Sequence, residues 1–213
     1  MAKFDERVFG DEPKAYDIAN LIEEGETILW QGKPNRKAFM LANIFKMLPI
    51  ALLWLLFDGG MLAMITINGF WSQMPTPIVI FICIFFLLHL LPVWLWLSNV
   101  VTASTRQKNM EYVFTSKRII LKSGVIGIDI ANIYYTDIQG VNLKVGITDK
   151  MFGVGDIYIS GVGKAQVLWD VSNPYPLVAK LQQIVNDIKT DTYYPNDLRP
   201  STNSGYRTQY KPE

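Results

Sequence analysis

A chain of 213 residues that contains one histidine, His89, and one cysteine, Cys83, has little from which to build a catalytic relay. Both residues fall in a single apolar run, so the polar remainder of the sequence has no imidazole at all. Ser-His-Asp and Cys-His chemistry needs a base that water and substrate reach, and zinc sites draw on clustered His and Cys. The sequence therefore predicts no catalytic residues, no metal, no cofactor, and a protein that is not an enzyme. A lone cysteine also excludes a disulfide framework. Gly153-Val-Gly155-Asp156 spells the Gly-x-Gly-Asp of intramembrane aspartyl proteases, but it lies well beyond the apolar runs, among amphipathic strands. It reads as a glycine turn before a strand, and it lacks the strand-to-helix context and Lys-Ser/Thr of a phosphate cradle.

Two constellations could do physical rather than covalent work. The first is Lys46, Asp58 and His89, ionisable residues in or beside apolar runs, where each charge costs about 2.5–3.5 kcal/mol at a helix centre. Asp58 is nine residues before Ile67 and His89 eleven after Ile78. At about 1.5 Å per residue their depths differ by only about 3 Å, which allows a hydrogen-bonded pair between two helices. Such a pair serves either as polar glue, with Gly59-Gly60 permitting close approach, or as a proton- or ion-sensitive element. Lys46 can snorkel to headgroups. The second constellation is basic: Arg106, Lys108, Lys117, Arg118 and Lys122 stand against one acid, Glu111, between Ser98 and Ser123. Near an inner leaflet each contributes about 1 kcal/mol of attraction to anionic lipid.

The elements that carry these residues follow from hydrophobic patterning. Residues 47–67 and 78–97 are apolar runs of about bilayer-spanning length. Lys33, Arg36, Lys37 and Lys46 precede the first run and the basic cluster follows the second, while the loop 66–77 has no Lys or Arg. By the positive-inside rule this predicts a two-span hairpin in the cell membrane with both termini cytoplasmic. Phe70, Trp71, Trp94 and Trp96 fit interfacial belts, and Pro92 predicts a kink. The start of the chain is mixed in charge, unlike a signal peptide. Net charge of +1 gives no electrostatic case for nucleic acid, and no small-molecule substrate is evident.

After the hairpin the period changes to two. Segments 112–114, 118–121, 129–135, 138–145, 156–160 and 166–171 are rich in Ile, Val and Tyr and are divided by Gly, Asn, Asp and Ser. From Pro174 to Lys189 Leu177, Val178, Leu181, Ile184, Val185 and Ile188 mark one face of a helix, with Asn173 as its N-cap. Upstream, a helix is expected around residues 16–24 and a strand from Thr27 to a Gly-Lys-Pro turn. Tyr134, Tyr135 and Trp169 read as packing residues, and a strand edge beside them could accept a peptide. The domains are thus 1–38, an N-terminal cytoplasmic segment; 39–98, the hairpin; 99–190, the sheet domain; and 191–213, a disordered tail whose tyrosines read as solvated.

The run Tyr112-Val-Phe-Thr-Ser-Lys-Arg-Ile-Ile, then Gly124, Ile138 and Val141, then Phe152-Gly-Val-Gly-Asp-Ile, and finally Val171-Ser-Asn-Pro with Leu177, resembles the bacterial PH-like (pleckstrin homology) domain of membrane-flanking proteins. Glu26-Thr-Ile-Leu-Trp-Gln-Gly-Lys-Pro resembles the segment these proteins place before their first membrane helix. The resemblance implies an α+β fold: a transmembrane hairpin followed by a PH-like antiparallel β-barrel or sandwich plugged by a C-terminal amphipathic helix. It also implies a role in envelope maintenance or stress defence. In eukaryotic PH domains a basic loop between the first two strands binds phosphoinositides, and Lys117-Arg118 is expected in the corresponding turn, although Arg118 could equally pair inside the fold. The expected function is a non-catalytic scaffold at the cytoplasmic face, partnered by membrane lipids and by copies of itself or related membrane proteins. The alternatives are an anionic-lipid-binding regulator and a proton- or ion-sensitive part of a transport assembly using Asp58 and His89.

Overall fold

A computed structural model of the chain describes residues 18–161, 163–194 and 201–202. Strands β1 (Ile28–Gly32), β2 (Glu111–Thr115), β3 (Arg118–Ser123) and β4 (Asp129–Tyr134) form one antiparallel sheet in that order. A second antiparallel sheet contains β5 (Ile138–Lys144), β6 (Val154–Gly161) and β7 (Gln166–Ser172). The sheets do not close into the barrel that the resemblance allowed. They face each other as a sandwich, with Phe114, Ile119 and Leu121 of the first meeting Ile157, Ile159 and Leu168 of the second in one core.

Alternation explains only half of the first sheet. Tyr112, Val113, Phe114 and Thr115 are buried in succession, as are Ile119 and Ile120. The outward-facing Val113 and Ile120 are covered by Ile18 and Ile22 from the N-terminal segment, so this part of the sheet is apolar on both faces. The described part of the expected N-terminal helix is a single 3-10 turn, Ile18–Leu21; residues 16 and 17 lie outside the described residues.

β1 comes from the segment before the hairpin and β2 from the segment after it, and Trp30 sits opposite Phe114, with ring centroids 4.9 Å apart. The helical region is therefore an insertion between two neighbouring strands of one sheet. Residues 28–32 of the N-terminal segment thereby add a strand to the sheet of the domain that follows the insertion. It consists of α1 (Arg36–Phe45), α2 (Leu48–Ile67), α3 (Thr76–His89) and α4 (Leu91–Asn109). Among the described residues only α2 is by itself long and apolar enough to cross a bilayer; α3 and α4 meet that test together, as a pair bent by 48°. The second apolar run is thus not one continuous helix. Leu90 breaks it, Pro92 lies in the first turn of α4, and the Trp94 indole donates to the Leu87 carbonyl at 3.0 Å beside the break.

α1 is stitched to α4 by polar contacts. Asn35 caps it, its Oδ1 accepting from the Lys37 and Ala38 amides. Its last carbonyls are satisfied across the helix pair, Asn43 by Asn99 at 2.9 Å and Ile44 by Trp96 at 2.9 Å. A short helix, α5 (Ile147–Phe152), links β5 to β6 and packs on α1. The C-terminal helix α6 (Pro174–Tyr193) drives Val178, Leu181, Ile184 and Val185 into the core. It runs four residues beyond its expected end. Asn173 occupies the N-cap position in a left-handed conformation, but its side chain makes no cap hydrogen bond. The rest of the expected tail lies outside the described residues, except Tyr194 and residues 201–202.

Candidate functional site

The strongest polar constellation joins the chain before the insertion to the chain after it. Glu26, two residues ahead of β1, is buried, and its Oε1 accepts from Thr115 Oγ1 at 2.6 Å and Arg118 Nε at 3.2 Å. Oε2 accepts from Arg118 Nη2 at 3.2 Å and from the Glu23 amide at 2.9 Å. Arg118 Nη2 also donates to the Leu21 carbonyl at 2.6 Å, and the guanidinium lies 5.9 Å from the Tyr134 ring centroid. Burial alone pushes the Glu26 carboxyl up, but the hydrogen bonds from Glu23, Thr115 and Arg118 outweigh it and hold the group below the usual carboxylate range. Sequence reasoning assigned Glu26 no role. An acid directly ahead of an N-terminal strand, with an arginine at the start of another, was the available signal, and it is faint.

These contacts correct the expected basic face. Arg118 is buried against Glu26 and is unavailable to lipid, because an unpaired charge at that depth would cost several kcal/mol. Lys117 pairs with Glu23 at 2.8 Å. Because β1 precedes the insertion, Lys117-Arg118 forms the turn between the second and third strands, not between the first and second. Arg106 places Nη2 on Asn43 Oδ1 at 3.0 Å and on Asn99 Oδ1 at 2.6 Å, bracing α1 against α4. Lys108 is exposed on the last turns of α4 and Lys122 half-buried on β3.

Within the insertion, His89 Nδ1 lies 2.9 and 3.1 Å from the two carboxylate oxygens of Asp58. Asp58 is 1% exposed, the most enclosed charged residue on these helices, whereas His89 remains accessible. The imidazole is collared by aromatic rings, stacked on Phe85 at 5.1 Å and tilted against Trp54 at 5.5 Å. His89 is also the last residue of α3. The expected role of Gly59-Gly60 is not seen: a Cβ at either position would meet nothing within 4 Å, so neither glycine mediates close packing within the chain. Lys46 follows α1 directly and precedes α2.

Gly153 is left-handed at φ 64° and ends α5 as a C-cap, while a Cβ at Gly155 would come within 2.9 Å of Leu143. The Gly-x-Gly-Asp run is therefore a helix stop followed by a strand. Among the described residues no group of three His, Cys, Asp or Glu side chains is arranged to hold a metal ion.

A family model described as "Bacterial PH domain" matches residues 47–190. The crystal structure of a DUF1696 family protein with a pleckstrin-homology domain from Shewanella loihica PV-4 is similar over 36% of this chain and 71% of that chain, at 20% sequence identity and a TM-score of 0.29. No curated protein matches the chain.

Proposed function

The chain belongs to the bacterial PH domain family, and on that premise we propose that it is a membrane-anchored, non-catalytic interaction module. On this reading α2 and the bent α3–α4 pair form a two-span hairpin and the PH-like domain sits at the cytoplasmic face. The observation that carries it is the insertion of apolar helices between β1 and β2. Leu53, Leu56, Phe57, Met64, Phe81, Leu87 and Leu88 all expose their side chains there, a surface that lipid covers and water does not tolerate at this extent. A PH-like sandwich with no histidine outside the insertion offers binding surface rather than acid–base chemistry. Held at the bilayer, it meets lipid and membrane partners at high effective concentration, so weak contacts suffice to assemble copies of itself or related membrane proteins.

The test is topology. In a Cys83→Ser background, a cysteine at Ser72 is expected to react with an impermeant maleimide on intact cells, and one at Ser123 only after lysis. Equal reaction at both positions refutes the two-span arrangement. Crosslinking from the domain surface then identifies the partners.

The Asp58–His89 contact favours a second reading, a proton-sensitive element within an oligomer of such hairpins. It predicts a defined oligomer whose stability changes across the titration range of histidine, and an oligomer indifferent to pH over that range counts against it.

A further inference from the structure

A cavity of about 570 Å³ opens between the base of the insertion and the second sheet, a size usual for small-ligand sites. Lys46, Arg106 and Lys144 line it together with Asp156 and Asp170, and Tyr158 and Trp169 add aromatic surface. Opposite charges that share a cavity normally neutralise one another, yet no ion pair between these groups is formed among the described residues.

Two of the groups are left wanting partners. Asp170 is 4% exposed. Its amide donates to Asp156 Oδ1 at 3.0 Å and its carbonyl accepts from the Asn35 amide at 2.9 Å, but no hydrogen bond reaches its carboxylate among the described residues. Arg106 spends Nη2 on Asn43 and Asn99, leaving its buried Nε without a partner. Buried polar groups are nearly always satisfied, so a nearly buried carboxylate without a hydrogen bond, in a cavity lined also by three cations, asks for a ligand with both signs. Burial first, then the charges of Asp156 and Asp149, push the Asp170 carboxyl up to about 7. A neighbouring cation would favour its ionised form.

We propose that this cavity binds an aminoalkyl phosphate, the phosphoethanolamine headgroup of a membrane phospholipid, with its ammonium on Asp156 and Asp170 and its phosphate on Lys46, Arg106 and Lys144. A primary ammonium supplies the N–H donors that the Asp170 carboxylate lacks, and Tyr158 and Trp169 line the same cavity. The phosphate answers the positive charges of Lys46, Arg106 and Lys144 that line the cavity. Membrane lipid as the source follows from placement and rests on the anchored reading above. Lys46 lies two residues ahead of α2, and the lining Phe45 is exposed beside it. Ile147 and Met151 are also exposed, on the same short helix as the lining Thr148, giving the surroundings of the cavity the apolar side chains that an acyl layer would cover.

The experiment uses the full chain in nanodiscs containing phosphatidylglycerol with either phosphatidylethanolamine or phosphatidylcholine, and counts lipids retained on release into detergent by native mass spectrometry. The ethanolamine lipid is expected to be retained about tenfold over the choline lipid, because the choline headgroup has no N–H donor. Asp170→Asn is expected to abolish that preference, and Lys144→Ala, at an exposed position, to reduce retention of both lipids. Equal retention by the wild-type chain overturns the proposal, as does an Asp170→Asn protein of unchanged circular dichroism that keeps the preference. Should Asp170→Asn not fold, Lys144→Ala decides, and undiminished retention of the ethanolamine lipid overturns it. Calorimetric binding of soluble phosphoethanolamine without lipid preference overturns the lipid source. Release of the chain from membranes by alkaline carbonate refutes anchoring instead, and soluble phosphoethanolamine, which needs no bilayer, then tests the cavity alone: absent binding overturns the site.

Discussion

Glu26→Ala is the perturbation that probes most directly how the two flanks of the insertion are held together. The Glu26 carboxylate receives four hydrogen bonds, two from Arg118 and one each from Thr115 and the Glu23 amide. Removing it leaves the guanidinium buried with only the Leu21 carbonyl and the rim contact to Glu23, 3.7 Å away. Breaking one side of a buried pair costs about 3–5 kcal/mol, because the surviving charge is stranded. The loss falls on the junction between β1 and β2, so local opening of β1 is the quantity to measure. Hydrogen exchange of the β1 amides in the full chain is expected to accelerate by about 10²–10⁴-fold, at roughly 1.4 kcal/mol per tenfold. Glu26→Met combined with Arg118→Met is expected to recover much of that loss, since no charge is then left unpaired. The pH dependence has a definite sign. The folded carboxyl lies below its ordinary value of 4.5, so its contribution is complete above that value and disappears as pH falls through the lower folded value. The gap between wild type and Glu26→Gln is expected to narrow below about pH 4. An acceleration of less than about fivefold in Glu26→Ala, equivalent to about 1 kcal/mol, would mean the pair behaves as a surface ion pair and would refute the reasoning.

On the anchored reading, Asp58→Ala and His89→Ala in the full detergent-solubilised chain are expected to show a coupling of about 0.6–1.7 kcal/mol in a double-mutant cycle, the range for polar contacts between membrane helices. Additive single effects would mean that their 2.9 Å contact contributes nothing. A fragment of residues 103–190 lacks β1 and the Ile18 and Ile22 cover over Val113 and Ile120, and it is expected to fail to give a cooperative melt. A sharp transition from that fragment would show β1 to be dispensable. Asp170→Asn is expected to raise the melting temperature more at pH 8 than at pH 5. The folded carboxyl titrates near 7, above its unfolded value, so ionising it costs the native state stability as pH rises from about 4 to 7. A shift independent of pH would count against the burial of that charge.

The strands after the insertion were legible because each is a short alternating run bounded by Gly, Asn, Asp or Ser, and β2 to β7 begin and end within about two residues of that reading. The matched depths of Asp58 and His89 were likewise legible, since rise per residue is fixed by helix geometry. The pairing of Trp30 with Phe114 was not legible, because a strand carries no mark of which distant strand it joins. The sequence left Arg118 open between lipid and a partner inside the fold, and only the placement of Glu26 beside the start of β3 decides for the partner. α5 escaped notice because six residues are too few to establish a helical period. The acids Asp156 and Asp170 gave no warning either; only the antiparallel pairing of β6 with β7, where the register shifts between Gly155 and Ile157, brings them together.

Inserting apolar helices between adjacent strands has a different physical consequence from hanging a domain on a terminal linker. Neighbouring strands are about 4.8 Å apart and packed helices about 8–10 Å apart, so the chain can leave β1 and re-enter at β2 with little loop between. The two connections, together with the bonds from Trp96 and Asn99 to the end of α1 and from Gln107 to the Pro34 carbonyl, leave the domain little freedom to swivel about the helices. A flexible tether raises the local concentration of every face equally, whereas a braced one presents the same face to the bilayer and the same sides to neighbours. On the anchored reading, specificity for partners therefore resides in which strand edges and helix faces are turned outward by the α1–α4 brace. Asn43→Ala, which removes the Arg106 acceptor at 3.0 Å without touching the domain surface, is expected to weaken partner crosslinking from that surface while leaving membrane retention intact. Crosslinking that survives with the same partners and the same contact positions would mean that orientation is set by the partners rather than by the brace.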